Sequence, residues 1–495
     1  MNTRFRVGLG LFVIAATPRL LGAFFLPNTF GDAYVYIRDI GNLSIRIKAG
    51  TFAITDLYGF WLPLYQFISA LINVFLGNGF YTGKIVAALF GVGVCLLVYA
   101  ITLQLVGHKR AAFLAFLLIA LSPLHILTST SALTDVPHAF LVLAALYFVQ
   151  KKRWLVAAIF AALAGLTRVE SWMLIALIPA LQFWKERKVS LAAFLIMMLP
   201  PLFWFWVSWK AAGDWLATFK VRQQYHDWLL IQNPALGHFS FAGALKDGAM
   251  FLSGADIAVF CAAVVAGWLV FKPLKNSTDK HNRALNIEFV APVLLFVSAF
   301  FTLLVVAYLT HQQPIIFPRY GLILFSLGLP LLAWTYFEIT SRWPEWSRRL
   351  LMGIVSLCLL NATAQFVGAI GELSRYEVQR SIADRLTHAA IAESTVRVFC
   401  DEDTVRTLSG LRDESFLTIT NGMIDRNSFV RQLEEGHAIY LVFPVRQNST
   451  ILKLFPDAEY GTEIGPYRPI LVSHENILGT RIWLYKRTQE TNFSH

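Results

Sequence analysis

Residues Thr82–Val106 read TGKIVAALFGVGVCLLVYAITLQLV, an apolar run with one charged side chain, Lys84, closed by Gly107-His108-Lys109-Arg110. Such a run exceeds the roughly 20 residues that a helix needs to cross a bilayer. Working outward, the same alternation of apolar run and charged stop recurs near 5–26, 111–128, 134–149, 154–167, 169–184, 189–209, 250–271, 287–310, 318–337 and 350–370. The reading is a polytopic α-helical membrane protein with about eleven transmembrane helices. Two runs, 154–167 and 169–184, are short for a full span and form a short or broken pair around Thr167-Arg168-Val169-Glu170. Pro63–Leu76 is also short and reads as an interfacial helix.

Composition agrees with this. Of the 495 residues, 56% are hydrophobic and 15% are charged, which is more apolar surface than one soluble core of this length buries. The net charge of +11 lies in small clusters between apolar runs rather than along one stripe. That placement argues against nucleic acid as a partner and for membrane topology. Cys95, Cys261 and Cys358 sit inside apolar runs and leave Cys400 alone outside them, so the spacing offers no disulfide framework or metal-ligand set. The run that follows Arg4 and Arg6 is too long for the core of a cleaved signal and reads as a retained anchor.

Counting basic residues gives the sidedness. With a cytoplasmic N-terminus, Lys109/Arg110, Lys151/Lys152/Arg153, Lys185/Arg187/Lys188, Lys272/Lys275/Lys280/Arg283 and Arg342/Arg348/Arg349 all fall on the cytoplasmic side, as the positive-inside rule requires. Were Pro63–Leu76 a span, the clusters would alternate sides. The expectation is a multi-pass protein of the plasma or inner membrane whose C-terminus is external or periplasmic. Residues 1–370 form the transmembrane domain, with external loops 27–80 and 210–249. Residues 371–495 turn soluble in composition and form a small external α/β domain. Its strands are expected at Val396–Cys400, Phe416–Thr420, Ala438–Phe443 and Thr480–Lys486, with helices near 374–393 and 426–436.

The first external loop opens on Gly31-Asp32-Ala33-Tyr34, turns at Gly50-Thr51-Phe52, and continues through Asp56-Leu57-Tyr58-Gly59 to Trp61-Leu62-Pro63-Leu64-Tyr65-Gln66. This order resembles the GT-C glycosyltransferases, most of all the branch holding the protein O-mannosyltransferases and the bacterial lipid A aminoarabinose transferases. Ser122-Pro123 followed by Thr130-Ser131-Ala132-Leu133-Thr134-Asp135-Val136-Pro137 is similar to the second external loop of that family. Gly165-Leu166-Thr167-Arg168 is similar to its turn between two short helices, and Phe317-Pro318-Arg319-Tyr320 to its late Arg-Tyr segment. The resemblance covers roughly residues 5–340 and does not extend to an activity for the tail.

The resemblance implies an inverting transfer of a sugar from a polyprenyl-phosphate donor, drawn from membrane lipid, to a hydroxyl of a glycan, lipid or protein acceptor at the external face. An acceptor hydroxyl is a weak nucleophile and needs a base within hydrogen-bond reach. Asp32 stands at the matching position, with Asp135 as the second catalytic candidate. A departing lipid phosphate must be met by cations, for which Arg168, Arg319 and Lys84 are the candidates. Arg19, Tyr36, Asp39, Asp56 and Glu170 are assigned support. A single displacement needs one base rather than the two carboxylates of retaining hydrolysis. No cofactor is required; a divalent metal stays open, with Asp56 beside Asp32 as its candidate pair.

Other roles are open for several of these residues. Asp135 also fits a helix start before Pro137, and Glu170 a simple pair with Arg168. Arg19, inside the first span, either snorkels or pairs locally, or else organises the loop that carries Asp32. His125, His138 and His311 lack the spacing of helical ligand pairs and read as ordinary polar contacts. Two further function classes compete with the enzyme: a transporter or flippase of lipid-linked sugars, and a non-catalytic subunit with the same fold. A ligase or polymerase that takes a lipid diphosphate glycan is the enzyme alternative.

Overall fold

The computed structural model describes residues 3–28, 30–232, 240–271, 280–310, 317–392, 396–417, 425–445, 449–473 and 481–488. Helices cover every apolar run. They begin with α1 (Thr3–Phe25), α2 (Gly31–Lys48), α3 (Leu64–Leu76), α4 (Gly79–Val106), α5 (Lys109–Ala120) and α6 (Pro123–Ser129). There follow α7 (Asp135–Gln150), α8 (Trp154–Gly165), α9 (Leu174–Glu186), α10 (Leu191–Ala212) and α11 (Ala217–Gln232). The remaining apolar elements are α12 (Phe241–Ala255), α13 (Ile257–Phe271), α14 (Lys280–Leu309), α15 (Leu322–Arg342) and the long α16 (Ser347–Ala392). Among the described residues, six helices are long and apolar enough to cross a membrane, or eight if each of two bent pairs is one span. The polytopic helical fold expected from the sequence is thus present, while α7 and α8 remain short.

Two apolar runs that read as single spans are broken. The run 111–128 bends by 62° between α5 and α6, where Pro123 supplies no N–H and the Ser122 hydroxyl accepts from the His125 N–H at 3.4 Å. The run 250–271 bends by 87° between α12 and α13. There Asp256 takes a φ of 64°, and its Oδ1 accepts the otherwise orphaned Ala258 N–H at 2.9 Å. Both breaks meet α16. Gln365 accepts from the Ser122 hydroxyl (3.2 Å) and the Leu124 N–H (3.3 Å), and donates to the Ser253 carbonyl (2.7 Å). One turn earlier, Asn361 donates to Asp256 Oδ2 at 3.2 Å. The rest of α16 presents Leu351, Met352, Leu359, Leu360, Phe366 and Val367 outward.

The chain folds into two compact units: Met1–Leu26 with Asp39–Val367, and Pro27–Arg38 with Gly368–His495. In the first, α4 packs against α1, α5, α7 and α15. Val94, Cys95, Val98 and Ile101 of α4 share one buried core with Val142, Leu143 and Leu146 of α7 and Leu327 and Leu331 of α15. Ala157, Ala158 and Ala161 let α8 approach its neighbours closely.

Helix α3 has 13 residues, about 20 Å at 1.5 Å per residue, well short of the ~30 Å hydrocarbon core. Gly77, at φ 71°, closes it in a left-handed conformation that suits glycine. Its polar side faces protein: Asn73 donates to the Ser44 hydroxyl (2.8 Å) and accepts from Thr82 (3.0 Å), and the Tyr65 hydroxyl donates to the Gly83 carbonyl (2.8 Å). Its apolar residues Leu71, Ile72, Phe75 and Leu76 are the exposed ones. An apolar outside over a polar inside suits a helix bathed in lipid along one edge.

The second unit holds a four-stranded sheet in the order β1-β2-β4-β3. The strands are β1 (Val398–Cys400), β2 (Tyr440–Pro444), β3 (Tyr467–Val472) and β4 (Ile482–Arg487). β1 and β2 are parallel, with Val398 opposite Tyr440; the other pairs are antiparallel. Helices α17 (Asp403–Leu408), α18 (Arg426–Glu435) and α19 (Thr450–Leu454) accompany them. The expected strand Phe416–Thr420 appears only as a bridge from Phe416 to Val398, since most of its remainder lies outside the described residues. β3 is not expected from the sequence because Pro469 interrupts it. An edge position, with a register shift at Pro469/Leu471, is where a strand tolerates proline.

Candidate active site

Three chain breaks in the first unit deliver the charged candidates. Asp135 is the first residue of α7 and His138 follows one turn later on the same face. Arg168 and Glu170 lie in the turn between α8 and α9, a 3-10 turn at Val169–Met173. The turn is pinned by the Trp172 indole donating to the Gly165 carbonyl (2.9 Å) and by the Leu64 N–H donating to Leu166 (3.1 Å). Arg319 and Tyr320 lie in a second 3-10 turn, Pro318–Gly321, at the entry to α15. That turn is pressed onto the end of α12 so closely that a Cβ on Gly254 would stand 1.6 Å from the Pro318 carbonyl oxygen.

Asp135, His138, Arg168, Glu170, Arg319 and Tyr320 line one cleft. Arg168 is its keystone. Its Nη1 donates to Asp135 Oδ1 at 3.0 Å, while Nη2 (2.8 Å) and Nε (3.2 Å) both donate to one oxygen of Glu170. Its guanidinium also lies over the Tyr320 ring, 5.8 Å from the centroid. Burial pushes the Glu170 carboxyl up, but the Arg168 charge and hydrogen bonds outweigh it and bring it to about 2. The buried Arg319 stacks on Phe317 and Tyr320 at 5.3 and 5.6 Å. Two carboxylates and two guanidiniums therefore balance formally. Arg319 is the second cation that lines the cleft beside Arg168. The rest of the lining is apolar, Phe300, Leu303, Leu304 and Ala307 of α14 with Ile323 and Leu324 of α15.

Replacing Arg168 by Met takes from Asp135 and Glu170 the guanidinium that both accept from. The expected cost is about 2–4 kcal/mol, since removing one member of a semi-buried pair strands the others. Arg168→Lys recovers only part, because an ammonium lacks the fork that spans two acids. Denaturant unfolding in detergent checks this; an Arg168→Met variant as stable as the parent rules it out.

The other sequence candidates lie elsewhere. Lys84 is fully buried on α4, where its ammonium donates to the Leu26 carbonyl and sits over the Phe80 ring at 5.1 Å. Arg19 is fully buried rather than snorkelling, and among the described residues it pairs with no acid. It donates to the carbonyls of Ala15 (3.0 Å), Ile119 (3.1 Å) and Ala120 (3.1 Å), and meets His125 Nδ1 at 2.7 Å. Two of those carbonyls are the last of α5, so Arg19 caps that helix where it breaks. Asp56 pairs with Arg46 and accepts from the Ala53 N–H at 2.9 Å. Half-buried Asp32 and buried Tyr36 belong to the second unit, whereas Asp39 begins the main segment of the first. His138 meets the Ser171 hydroxyl at 2.7 Å; His311 lies outside the described residues. Sequence reasoning assigns His138 no place in the cleft, although its helical spacing from Asp135 is the available signal.

No family model matches the chain, and no curated protein matches it. Among solved structures, the chain is similar to ArnT from Cupriavidus metallidurans bound to undecaprenyl phosphate, at 12% identity and a TM-score of 0.43, over 97% of each chain. It is similar to the apo state of the same protein at 12% identity and the same TM-score, over 97% of this chain and 96% of that one.

Proposed function

We propose that this protein is a membrane glycosyltransferase of the GT-C type that moves a sugar from a polyprenyl-phosphate donor to an acceptor hydroxyl at the external face of the membrane. The observation that supports it is the make-up of the cleft: Arg168 and Arg319 line it together with the apolar side chains Phe300, Leu303, Leu304, Ile323 and Leu324. A lipid phosphodiester needs both, an aliphatic surface for its prenyl chain and guanidinium donors for its phosphate.

In this reading, Asp32 takes the proton of the acceptor hydroxyl as the new bond forms between that oxygen and the anomeric carbon. The bond from the anomeric carbon to the phosphate oxygen breaks on the opposite face, and both its electrons leave with the polyprenyl phosphate. The phosphate then carries a second negative charge, which Arg319 meets. Configuration inverts, and atoms and charge balance without a cofactor. The membrane orientation is N-terminus cytoplasmic and C-terminal unit external, on the strength of the basic clusters.

Mass spectrometry of lipid co-purified with the protein, followed by assays with monophosphate and diphosphate donors side by side, tests the reading. Transfer only from the diphosphate favours a ligase; lipid movement with no transfer product favours a transporter. Asp32→Asn is expected to lower kcat by about a hundredfold or more, the usual scale of a lost general base. Transfer at the parent rate removes Asp32 from the role.

A further inference from the structure

The carboxyl-terminal residues have no part in the chemistry above, yet the segment carrying Asp32 packs with them. Pro27–Arg38 belongs to the same compact unit as Gly368–His495. Within it, Ala33, Tyr34, Tyr36 and Ile37 are buried while Asp32 stays half-exposed. Such burial at the start of a helix, in two pairs separated by one half-exposed position, is the signature of a docked element rather than a loose loop.

The docking partners can be named. The Tyr34 hydroxyl donates to the Asn28 carbonyl at 3.0 Å, closing the segment on itself. Burial, and then the neighbouring Tyr376 and Glu402, push the Tyr34 phenol up, so its hydroxyl stays protonated as a donor. Glu402 is buried and accepts from Gln379 Nε2 at 2.9 Å; Gln379 follows Tyr376 by one turn on α16. The next residue, Asp403, starts α17, and its Oδ1 lies 3.6 Å from Arg38 Nη1. Asp32 is thus followed on the same helix by the buried Tyr34, whose electrostatic neighbours are Tyr376 and Glu402, and by the ion pair of Arg38. Both lead to one corner of the carboxyl-terminal fold, where the chain leaves β1 and passes the face of α16.

We propose that the carboxyl-terminal unit is a clamp on the Asp32 segment, with Asp403, acting through Arg38, as the positioning residue that sets the orientation of the Asp32 carboxylate. The inference rests on the proposed role of Asp32 for its purpose, but its test does not. A reversed charge at position 403 opposes Arg38, and a reversed charge at both positions restores the attraction. The corner is half-exposed, so the contact is of the size of a surface pair, severalfold in an equilibrium rather than thousands.

The experiment uses the full chain in lipid nanodiscs, with two probes: amide hydrogen exchange over residues 30–38, and the rate at which a water-soluble carbodiimide labels Asp32. In Asp403→Arg, exchange in this segment is expected to speed by about three- to fivefold. Labelling of Asp32 should change by about twofold or more in the same variant, with the thermal midpoint unmoved. Arg38→Asp combined with Asp403→Arg should return both to parent values. If neither probe moves in the single variant, or if the double variant fails to restore them, the clamp is overturned. Faster exchange with unchanged labelling overturns the positioning of Asp32. Neither probe reads sugar transfer, so a clamped protein that transfers nothing would overturn the reaction and leave the clamp standing.

Discussion

Gly254→Ala should abolish the native packing of the first unit, with a loss of stability above about 4 kcal/mol, the range reserved for core and backbone lesions. The added methyl would lie 1.6 Å from the Pro318 oxygen, 2.6 Å from its carbonyl carbon and 3.1 Å from its Cα. All three are backbone atoms, so no rotamer change relieves the clash. The approach is reciprocal: a Cβ on Gly321 would meet Ala255 N at 2.4 Å and the Phe251 oxygen at 2.8 Å. Forcing α12 and Pro318–Gly321 apart displaces Arg319 and Tyr320 of that turn, so lipid-phosphate binding should fall together with stability. Gly328→Ala is the comparison. Its Cβ meets the Val259 Cγ1 at 2.3 Å, a side-chain atom, and a cost of about 1–3 kcal/mol is expected. Denaturant unfolding of the two variants in matched detergent decides the matter. Equal, small losses would mean that the α12 turn gives way easily.

Arg19→Met is expected to cost about 2–4 kcal/mol, the scale for leaving several buried acceptors without their donor. The substitution keeps an unbranched chain of similar reach but deletes the donors. The Ile119 and Ala120 carbonyls and His125 then lose their partner at a helix break, away from water. Arg19→Lys should restore a minority of the loss, because one ammonium cannot fork to two carbonyls and an imidazole. Gly91 makes room for the guanidinium: a Cβ there would lie 3.0 Å from Arg19 Nε and 2.6 Å from Ser129 Cβ. Unfolding midpoints for the three proteins check the order, with parent above Arg19→Lys above Arg19→Met. An Arg19→Met protein within about 1 kcal/mol of the parent would show that the carbonyls find other donors.

The helices are legible in the sequence because most apolar runs are long and are separated by charged residues. The breaks are half-legible. Ser122-Pro123 carries the mark of a helix start, whereas Asp256 sits in an apolar stretch and gives no turn signal beyond Gly254. The carboxylates of the cleft stand out because they occupy the starts of helices and turns. The apolar wall does not, since Phe300 and Leu304 of α14 look like any other residues of an apolar helix. Arg19 is conspicuous as a charge in a span, but its partners are mostly backbone carbonyls, which every residue carries and none advertises. The assignment of Pro27–Arg38 to the second unit depends on contacts made more than 300 residues further along the chain, a separation over which periodicity says nothing.

Asn361 and Gln365 give α16 a bearing. A stretch such as 351–367, whose large outward residues are Leu, Met, Phe and Val, could turn about its axis in hydrocarbon at little cost, because each azimuth offers lipid the same chemistry. Two amides one turn apart, each bonded at a kink, remove that freedom as a key's teeth do in a lock. Within the first unit, the longest helix described is therefore set in rotational phase by two side chains, and the aliphatic residues of that stretch can be exchanged among themselves without changing which way it faces.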